Sequence, residues 1–383
     1  MKNVLCDMIN IEFPLVGFSH CRDVVAAVSK AGGLGVLGAV AFSPRQLEIE
    51  LTWIEEHVGG RPFGVDVLVP TKYEGASEGG LNRQALNERI PEEYRRFVDE
   101  LLTSHGVPTI EEGRGRTNAL DQNISASGAS DLLDVCFAHD VGLVANALGP
   151  PPQRMLDDAH SRGIPVAALV GTRAHALRQQ ESGVDLVVAQ GYEAGGHTGE
   201  IASMVLVPEV VDAVSPLPVL AAGGIGSGRQ MAAAMALGAV GVWTGSVWLA
   251  TEEAETHPVV KQKFLRASSS DTVRSRATTG KPARQLRTDW TDAWGGEGQL
   301  QPLPMPLQPA LVNGPLRRIA RAAMVPGSEA ADLVTYFVGQ VVGSMDSIKP
   351  ARRVFMDIIE EWIAVTSERF EDLSGDSPQP AVR

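Results

Sequence analysis

Cysteines are few in this sequence, and long apolar runs are absent. Cys6, Cys21 and Cys136 form no CxxC pair and are odd in number, which excludes a disulfide framework and gives no zinc-site spacing. No segment approaches the ~20 consecutive apolar residues that cross a bilayer. Asp7 and Glu12 interrupt the first dozen residues, where a secretory signal would be apolar. We therefore expect a cytoplasmic protein that does not bind a membrane.

Basic residues are outnumbered as well. The 383 residues include 33 lysines and arginines against 46 aspartates and glutamates, a formal net charge of −13. Nucleic acids and anionic membrane surfaces both reward a basic patch, so neither is expected as the main partner. With 44% hydrophobic and 21% charged residues, the composition is ordinary for a soluble globular enzyme.

Short apolar runs, turn residues and helical periods alternate along the chain. Runs rich in Val and Leu are typical of strands buried on both faces of a parallel sheet. The predicted strands are Phe13–Phe18, Leu34–Ala39, Phe63–Val69, Val141–Leu148, Val166–Val170, Asp185–Gln190, Val219–Ala222 and Val240–Gly245. Eight such strands alternating with helices predict an α/β fold, a closed TIM-type (β/α)₈ barrel. An open doubly wound sheet is the alternative, because the sequence does not reveal the strand order.

Helical segments lie between these strands. Ser43 is a good N-cap, Pro44 suits the first helical position, and Gly59-Gly60 ends that helix. Further helices are predicted at Asp23–Ala31, Pro151–Arg162, Arg173–Ser182, Ile201–Val214 and Gly228–Leu237.

Three stretches depart from the alternation. Residues 71–130 read as an insertion after strand three, with one clear helix at Glu92–Ser104. Residues 265–330 are rich in Arg, Thr, Gly and Pro, which predicts an irregular path over the barrel mouth. Near the C-terminus an apolar stripe that includes Trp362 predicts an amphipathic helix. That helix should pack on the body or on a second subunit, so a homodimer stays open.

These departures suggest a division of the chain. We expect a barrel at residues 1–260, an irregular and helical cap at 261–372, and a flexible tail at 373–383.

Glycine-rich turns follow the last two predicted strands. Gly223 and Gly224 lie between a strand and a helix, where bare backbone N–H groups and the helix dipole favour an anion. Gly245 and Ser246 end the neighbouring strand, and the loops after strands seven and eight are where barrels hold phosphates. The alternative is that these glycines only form tight turns.

A dinucleotide fingerprint does not fit the same glycines. That motif requires an acidic residue about 20 positions further on to bind the ribose. From Arg229 to Ala250 the sequence has no Asp or Glu, which excludes this interpretation.

One histidine stands out by its surroundings. His197 lies in GYEAGGHTGE, between glycines that follow strand six, where barrel enzymes place catalytic groups. Its ordinary pKa near neutrality makes it a candidate general base for a weakly acidic carbon. His139, His160 and His175 read instead as packing or capping residues, an alternative that is also open for His197.

The exit of strand one, FPLVGFSHCRD, faces the same barrel mouth. His20 is therefore a second candidate base. Cys21 reads as a small buried residue, because no base and orienting partner accompany it.

Together these segments resemble the nitronate monooxygenase family, formerly called 2-nitropropane dioxygenases. The matching motifs are SKAGGLGVLGA, RPFGVDVLVP, EAGGHTGE, PVLAAGGIGSGRQ, WTGSVWLATEEAETHPVVK, TGKPARQLR and GQVVGS. They span residues 10–345 and are most specific at EAGGH and AAGGI…TGS.

The resemblance implies an FMN-binding barrel with an added cap. Gly223, Gly224, Gly245 and Ser246 would hold the FMN phosphate, and Gln190, Gly195 and Gly196 would lie along the flavin. His197 would match the catalytic base. Ser19 and His20 occupy the turn where the backbone of family members meets the flavin ring.

Two departures from the family pattern concern that ring. Many members have an apolar-Pro-Met turn after strand one, where this chain has GFSHC. Some members have a lysine on strand five, where this chain has Leu169. Both departures predict altered flavin reactivity.

The activity that the resemblance implies is oxidation of alkyl nitronates, or of nitroalkanes through their nitronates, with FMN and dioxygen. Related members instead reduce a quinone or an enoyl thioester with NAD(P)H, which is the rival hypothesis. A flavin-binding module without turnover is the non-enzymatic alternative.

Overall fold

Eight parallel strands close into a barrel in the computed structural model, which describes residues 3–68, 83–108 and 126–374. The barrel strands are β1 Leu15–Ser19, β2 Leu34–Gly38, β3 Phe63–Leu68, β4 Leu143–Ala147, β5 Val166–Val170, β6 Leu186–Gln190, β8 Val219–Ala222 and β9 Gly241–Thr244. Pairing of Gly17 with Thr244 closes the ring between β1 and β9. The closed barrel is thereby confirmed, and the open sheet is excluded.

The α-helices follow these strands and fill the added segments. In chain order they are α1 Val4–Ile9, α2 Arg22–Lys30, α3 Pro44–His57, α4 Arg83–Arg89, α5 Glu92–Ser104, α6 Ala126–Cys136, α7 Gln153–Ser161, α8 Arg173–Ser182, α9 Ser203–Val214, α10 Gly228–Ala236, α11 Pro258–Phe264, α12 Asp289–Asp292, α13 Leu307–Ala322, α14 Ala330–Leu333 and α15 Ala351–Ser374. The predicted cap of α3 is present, because Ser43 and Gln46 form a reciprocal capping box.

The barrel interior is a compact apolar core. Val36, Leu143, Val188 and Leu220 are fully buried there, each on a different strand. Leu5 and its neighbours in α1 join the same core and close one end of the barrel. The other end, where the strands reach their carboxyl termini, carries the loops of interest.

Two further helices complete the outer ring, and the sequence analysis foresaw only the second of them. Helix α6 packs against α3, so the described end of the predicted insertion is a barrel helix. Helix α15 packs against α10 and α2, and Phe355 and Trp362 belong to the main barrel core. The predicted packing of this helix on the body of the protein is thereby confirmed. The division at residue 260 itself stays a prediction.

Residues 265–330 are more regular than predicted. They contain α12, α13 and two strands, β10 Thr272–Ser275 and β11 Ala283–Leu286, which pair antiparallel. A third strand, β7 Gly196–His197, extends this small sheet from the loop after β6. The expectation of an irregular path was wrong because short strands among Arg, Thr and Gly show little apolar periodicity.

A second apolar core joins the inserted segments. Leu86 of α4 and Leu102 of α5 pack in the same cluster as Trp290 and Val312. The described part of the insertion after β3 and the later cap segments thus form one structure over the barrel mouth.

Some predictions fall outside the described residues, namely Val69, most of the polar segments of the insertion, and the end of the tail. Within the described ranges, no helix is long and apolar enough to cross a bilayer. The cytoplasmic location and the homodimer stay predictions.

Candidate functional site

The two glycine-rich turns lie side by side at the barrel mouth. Strands β8 and β9 are neighbours, with Ala222 opposite Trp243, so the turns that follow them are adjacent. Gly223 and Gly224 have φ angles of +99° and +71°, a region that side chains other than glycine rarely adopt. The predicted juxtaposition of these two turns is confirmed.

Backbone donors in these turns are available to a ligand. The N–H groups of Gly224, Ile225, Gly245 and Ser246 donate to no acceptor among the residues that the structure describes. A ligand can come close to the backbone at Gly245, because an added Cβ there would meet only Phe18, at 3.9 Å. Bare N–H groups on two adjacent turns can form a cradle for an anion. The site therefore fits a single phosphate group.

A buried arginine, Arg284, stabilises the loop between β6 and α9. The carbonyl oxygen of Tyr192 accepts hydrogen bonds from Nε and Nη2 of Arg284, at 3.1 and 3.0 Å. The same guanidinium stacks over the Tyr192 ring at 4.3 Å, and only 2% of Arg284 is exposed. The Glu193 carboxylate accepts from the backbone and hydroxyl of Ser203 at the start of α9.

The GQVVGS segment near the C-terminal helix connects this loop to the two glycine-rich turns after β8 and β9 (the anion turns). The N–H of Gln340 donates to the carbonyl oxygen of Glu193 at 2.9 Å, and the N–H of Gly339 donates to Ser246 Oγ at 2.8 Å. Gly195 packs so closely here that an added Cβ would lie 2.8 Å from Gly339 N. Gly195 thus serves close backbone packing.

The side chain of His197 on β7 points toward Thr279, in the turn between β10 and β11. Its Nε2 lies 2.9 Å from Thr279 Oγ1, and its ring is 6.5 Å from that of Phe337. Burial, with a further contribution from the positive charge of Lys281, lowers the pKa of His197 to about 4. The imidazole is therefore neutral at physiological pH, and it is a weaker base than the near-neutral pKa expected from the sequence would make it.

The exit of β1 lies next to Gly245, since β1 pairs with β9. Ser19 Oγ accepts from the N–H of Cys21 at 3.1 Å. His20 Nδ1 lies 3.0 Å from the carbonyl oxygen of Gly38, and the imidazole occupies the space of a side chain at Gly38. The environment lowers the pKa of His20 mainly by desolvation. His20 is nevertheless exposed to solvent.

Gln190 is the last residue of β6, and Leu169 is the residue before the last of β5, so both lie near the same mouth. Gln190 pairs with Ala222 directly before the Gly223 turn, and Leu169 is partly buried against the interior core. The structure thus brings Gln190, the anion turns and the exit of β1 to one end of the barrel. The contact of each residue with a flavin stays a prediction.

Sequence analysis missed an acidic residue inside the barrel. Asp66 alternates on β3 with Val65 and Val67, which face the surrounding helices, so its side chain points inward. Its Oδ1 is buried and has no hydrogen-bond partner among the described residues. Desolvation raises the pKa of Asp66 from 3.8 to about 7. An Asp inside an otherwise apolar strand was the signal in the sequence.

The buried carboxyl predicts a pH-dependent stability. Because its pKa is higher in the folded state, Asp66 destabilises the fold as pH rises from 3.8 towards 7. Asp66→Asn in the cofactor-free protein should therefore raise the free energy of unfolding at pH 8 by up to about 4 kcal/mol. Urea melts at pH 4 and pH 8 measure this, with the exposed Asp212→Asn as control. A gain of equal size at both pH values would contradict the assignment.

Comparisons with known proteins agree with this geometry. The nitronate monooxygenase family matches residues 2–361. A Mycobacterium tuberculosis protein, provisionally named a monooxygenase, is 61% identical over 363 residues, which are 95% of this chain and 97% of that protein. The nitroalkane oxidase of Streptomyces ansochromogenes is 25% identical, with a TM-score of 0.78 over 95% of this chain and 99% of its own. FabK of Thermotoga maritima is 28% identical, with a TM-score of 0.67 over 98% and 99% of the two chains.

The family match covers nearly the whole chain, and the barrel fold is shared with solved enzymes. The chain therefore belongs to the nitronate monooxygenase family and is a flavin-dependent oxidoreductase.

Proposed function

We propose that the protein oxidises alkyl nitronates, and nitroalkanes through their nitronates, with FMN and dioxygen. The observation that carries the proposal is a neutral imidazole, His197, on the loop that Gly339 and Gln340 join to the anion cradle. The names of the family and of the Streptomyces structure point to the same class of substrate.

FMN is the flavin that the cradle favours. The turns at Gly223 and Gly245 offer one group of free N–H donors, which suits one terminal phosphate. When bound, the flavin supplies the electron acceptor for the substrate and the route by which dioxygen is reduced. We assign the ring to the mouth lined by Ser19, His20 and Gln190.

With a neutral nitroalkane, His197 acts first and the charge of Lys281 adds a second effect. His197 accepts the α-proton, and the bonding electrons stay on the substrate as the nitronate. Lys281 lies close enough to lower the pKa of His197, so its positive charge also favours the anion that forms. Both effects suit a substrate that becomes negatively charged. A preformed nitronate needs only the second effect.

Oxygen uptake tests this proposal. The FMN-loaded protein should consume dioxygen when an alkyl nitronate is added without any pyridine nucleotide. A Gly224→Asp variant serves as the control for uptake that does not depend on the site. No uptake with short or long nitronates, together with NAD(P)H oxidation in the presence of a quinone, would reject the proposal.

The second candidate is an NAD(P)H-dependent reductase that acts on a quinone or an enoyl thioester. The likeness to FabK supports it, as does Leu169, which replaces the lysine of some family members. A pyridine nucleotide that stacks on the flavin needs no Rossmann motif, so the acid-free segment after Arg229 does not oppose this candidate. The oxygen-uptake experiment separates the two.

A further inference from the structure

We propose that Thr279 is a positioning residue that holds His197 as the Nε2–H tautomer, so that Nδ1 is the nitrogen that receives the substrate proton. The inference deepens the proposed function and rests on it for the role of His197 as base. The tautomer itself is a property of the protein and is tested without substrate.

The hydrogen bonds around Thr279 decide which atom carries the proton. Thr279 Oγ1 donates its single hydrogen to the carbonyl oxygen of Lys281, at 3.0 Å. The same oxygen accepts from the N–H of Lys281, at 3.3 Å. Its remaining lone pair faces His197 Nε2 at 2.9 Å. A hydroxyl has one donor and two acceptor sites, so the third partner must donate, and Nε2 therefore carries a hydrogen.

The Nδ1–H tautomer of His197 would cost the hydrogen bond from Thr279 to the carbonyl oxygen of Lys281. If Nε2 were unprotonated, Thr279 would have to turn its hydrogen away from the Lys281 carbonyl to reach it. Thr279 is only 7% exposed, and burial makes a lost partner costly. The imidazolium that forms after proton transfer keeps Nε2–H, so the same bond persists through the reaction.

The turn that carries Thr279 is held in one conformation. Gly280 has a φ of +77°, and an added Cβ would lie 2.3 Å from the carbonyl oxygen of Leu303. The N–H of Gly280 donates to Arg276 O, and Arg276 Nε donates back to Gly280 O, both at 2.9 Å. Pairing of Ala283 with His197 in the small sheet fixes the spacing between the turn and the imidazole. The cap thereby orients a side chain that belongs to a barrel loop.

The other ring nitrogen is the one left to react. Nδ1 of His197 has no hydrogen-bond partner in the parts of the chain that the structure describes, whereas Thr279 covers Nε2. In the proton-transfer step the C–H bond of the nitroalkane breaks and an N–H bond forms at Nδ1. The electron pair stays on the nitronate.

Long-range ¹H–¹⁵N spectra of the ¹⁵N-histidine-labelled, FMN-loaded protein test the inference, because the nitrogen shifts identify which ring atom is protonated. His197→Asn assigns the signal by its disappearance. We expect Nε2 protonated and Nδ1 bare at neutral pH in the wild type and in Thr279→Ser. Thr279→Val should shift the signal towards a mixture of tautomers. A wild-type spectrum with Nδ1 protonated would overturn the inference, whatever the activity.

Kinetics supply the second measurement. Loss of this one buried hydrogen bond in Thr279→Val should lower kcat on a neutral nitroalkane by about tenfold or more. KM and turnover of the preformed nitronate should change less, and Thr279→Ser should restore kcat. An Nε2–H spectrum in a protein that does not turn over nitroalkanes would refute the proposed function and leave the tautomer standing. Unchanged kcat in Thr279→Val would refute the positioning role.

Discussion

His197→Asn should lower turnover of a neutral nitroalkane by about 10²–10⁴-fold, the contribution of a general base, equivalent to about 3–5 kcal/mol of barrier. Turnover of the preformed nitronate should be largely retained, because no proton has to be removed. The flavin spectrum should hardly change, since the glycine turns that hold the phosphate are untouched. Parallel assays with a nitroalkane and with its nitronate measure the difference.

The pH profile adds a second readout for His197. Because the pKa of the imidazole is lowered to about 4, the neutral base is lost only as pH falls through that value. Wild-type turnover of the nitroalkane should therefore persist well below the ordinary histidine pKa of about 6.5. Equal losses on both substrate forms in His197→Asn would mean that the residue positions substrate or flavin. Full retention on both would move the base to His20, and His20→Asn tests that assignment.

Gly224→Asp should abolish flavin binding and give a colourless protein, whereas the wild type should release FMN on heating. The carboxylate would enter the anion cradle, and the φ of +71° is strained for aspartate. An added Cβ would also lie 3.1 Å from Glu193 Cβ. Absorbance of the purified proteins and chromatography of the heat-released cofactor measure both expectations.

Gly163→Asp is a matched control for the backbone strain. Gly163 also has a φ of +71°, but it follows α7, and nothing lies within 4 Å of an added Cβ. This variant should remain yellow. Tight FMN binding by Gly224→Asp, or release of FAD from the wild type, would show that the turns do not hold the phosphate of FMN.

The barrel could be predicted because its strands are short continuous apolar runs between strong turn signals. Strand β5 matched Val166–Val170, and β8 matched Val219–Ala222, residue for residue. The small sheet of β7, β10 and β11 was not predicted, because Arg284 and His197 are polar residues in strands of two to four residues. No periodicity can show such short strands, and their pairing joins segments far apart in sequence.

The candidate site likewise contains features that the sequence predicts and features that it does not. The anion turns follow from glycines placed directly after adjacent strands, so the sequence reveals them. The partners of His197 do not follow from local sequence, because Thr279 meets it only through the pairing of β7 with β11. Asp66 could have been noticed as an acidic residue within an apolar strand, but its raised pKa follows from burial, which the sequence does not show.

Anaerobic titration of the FMN-loaded protein tests the central claim most directly. The account predicts that an alkyl nitronate removes the absorbance of the oxidised flavin, and that NADH and NADPH leave it unchanged. Bleaching by NADH or NADPH, with no response to nitronates, would contradict it and assign the protein to the reductases.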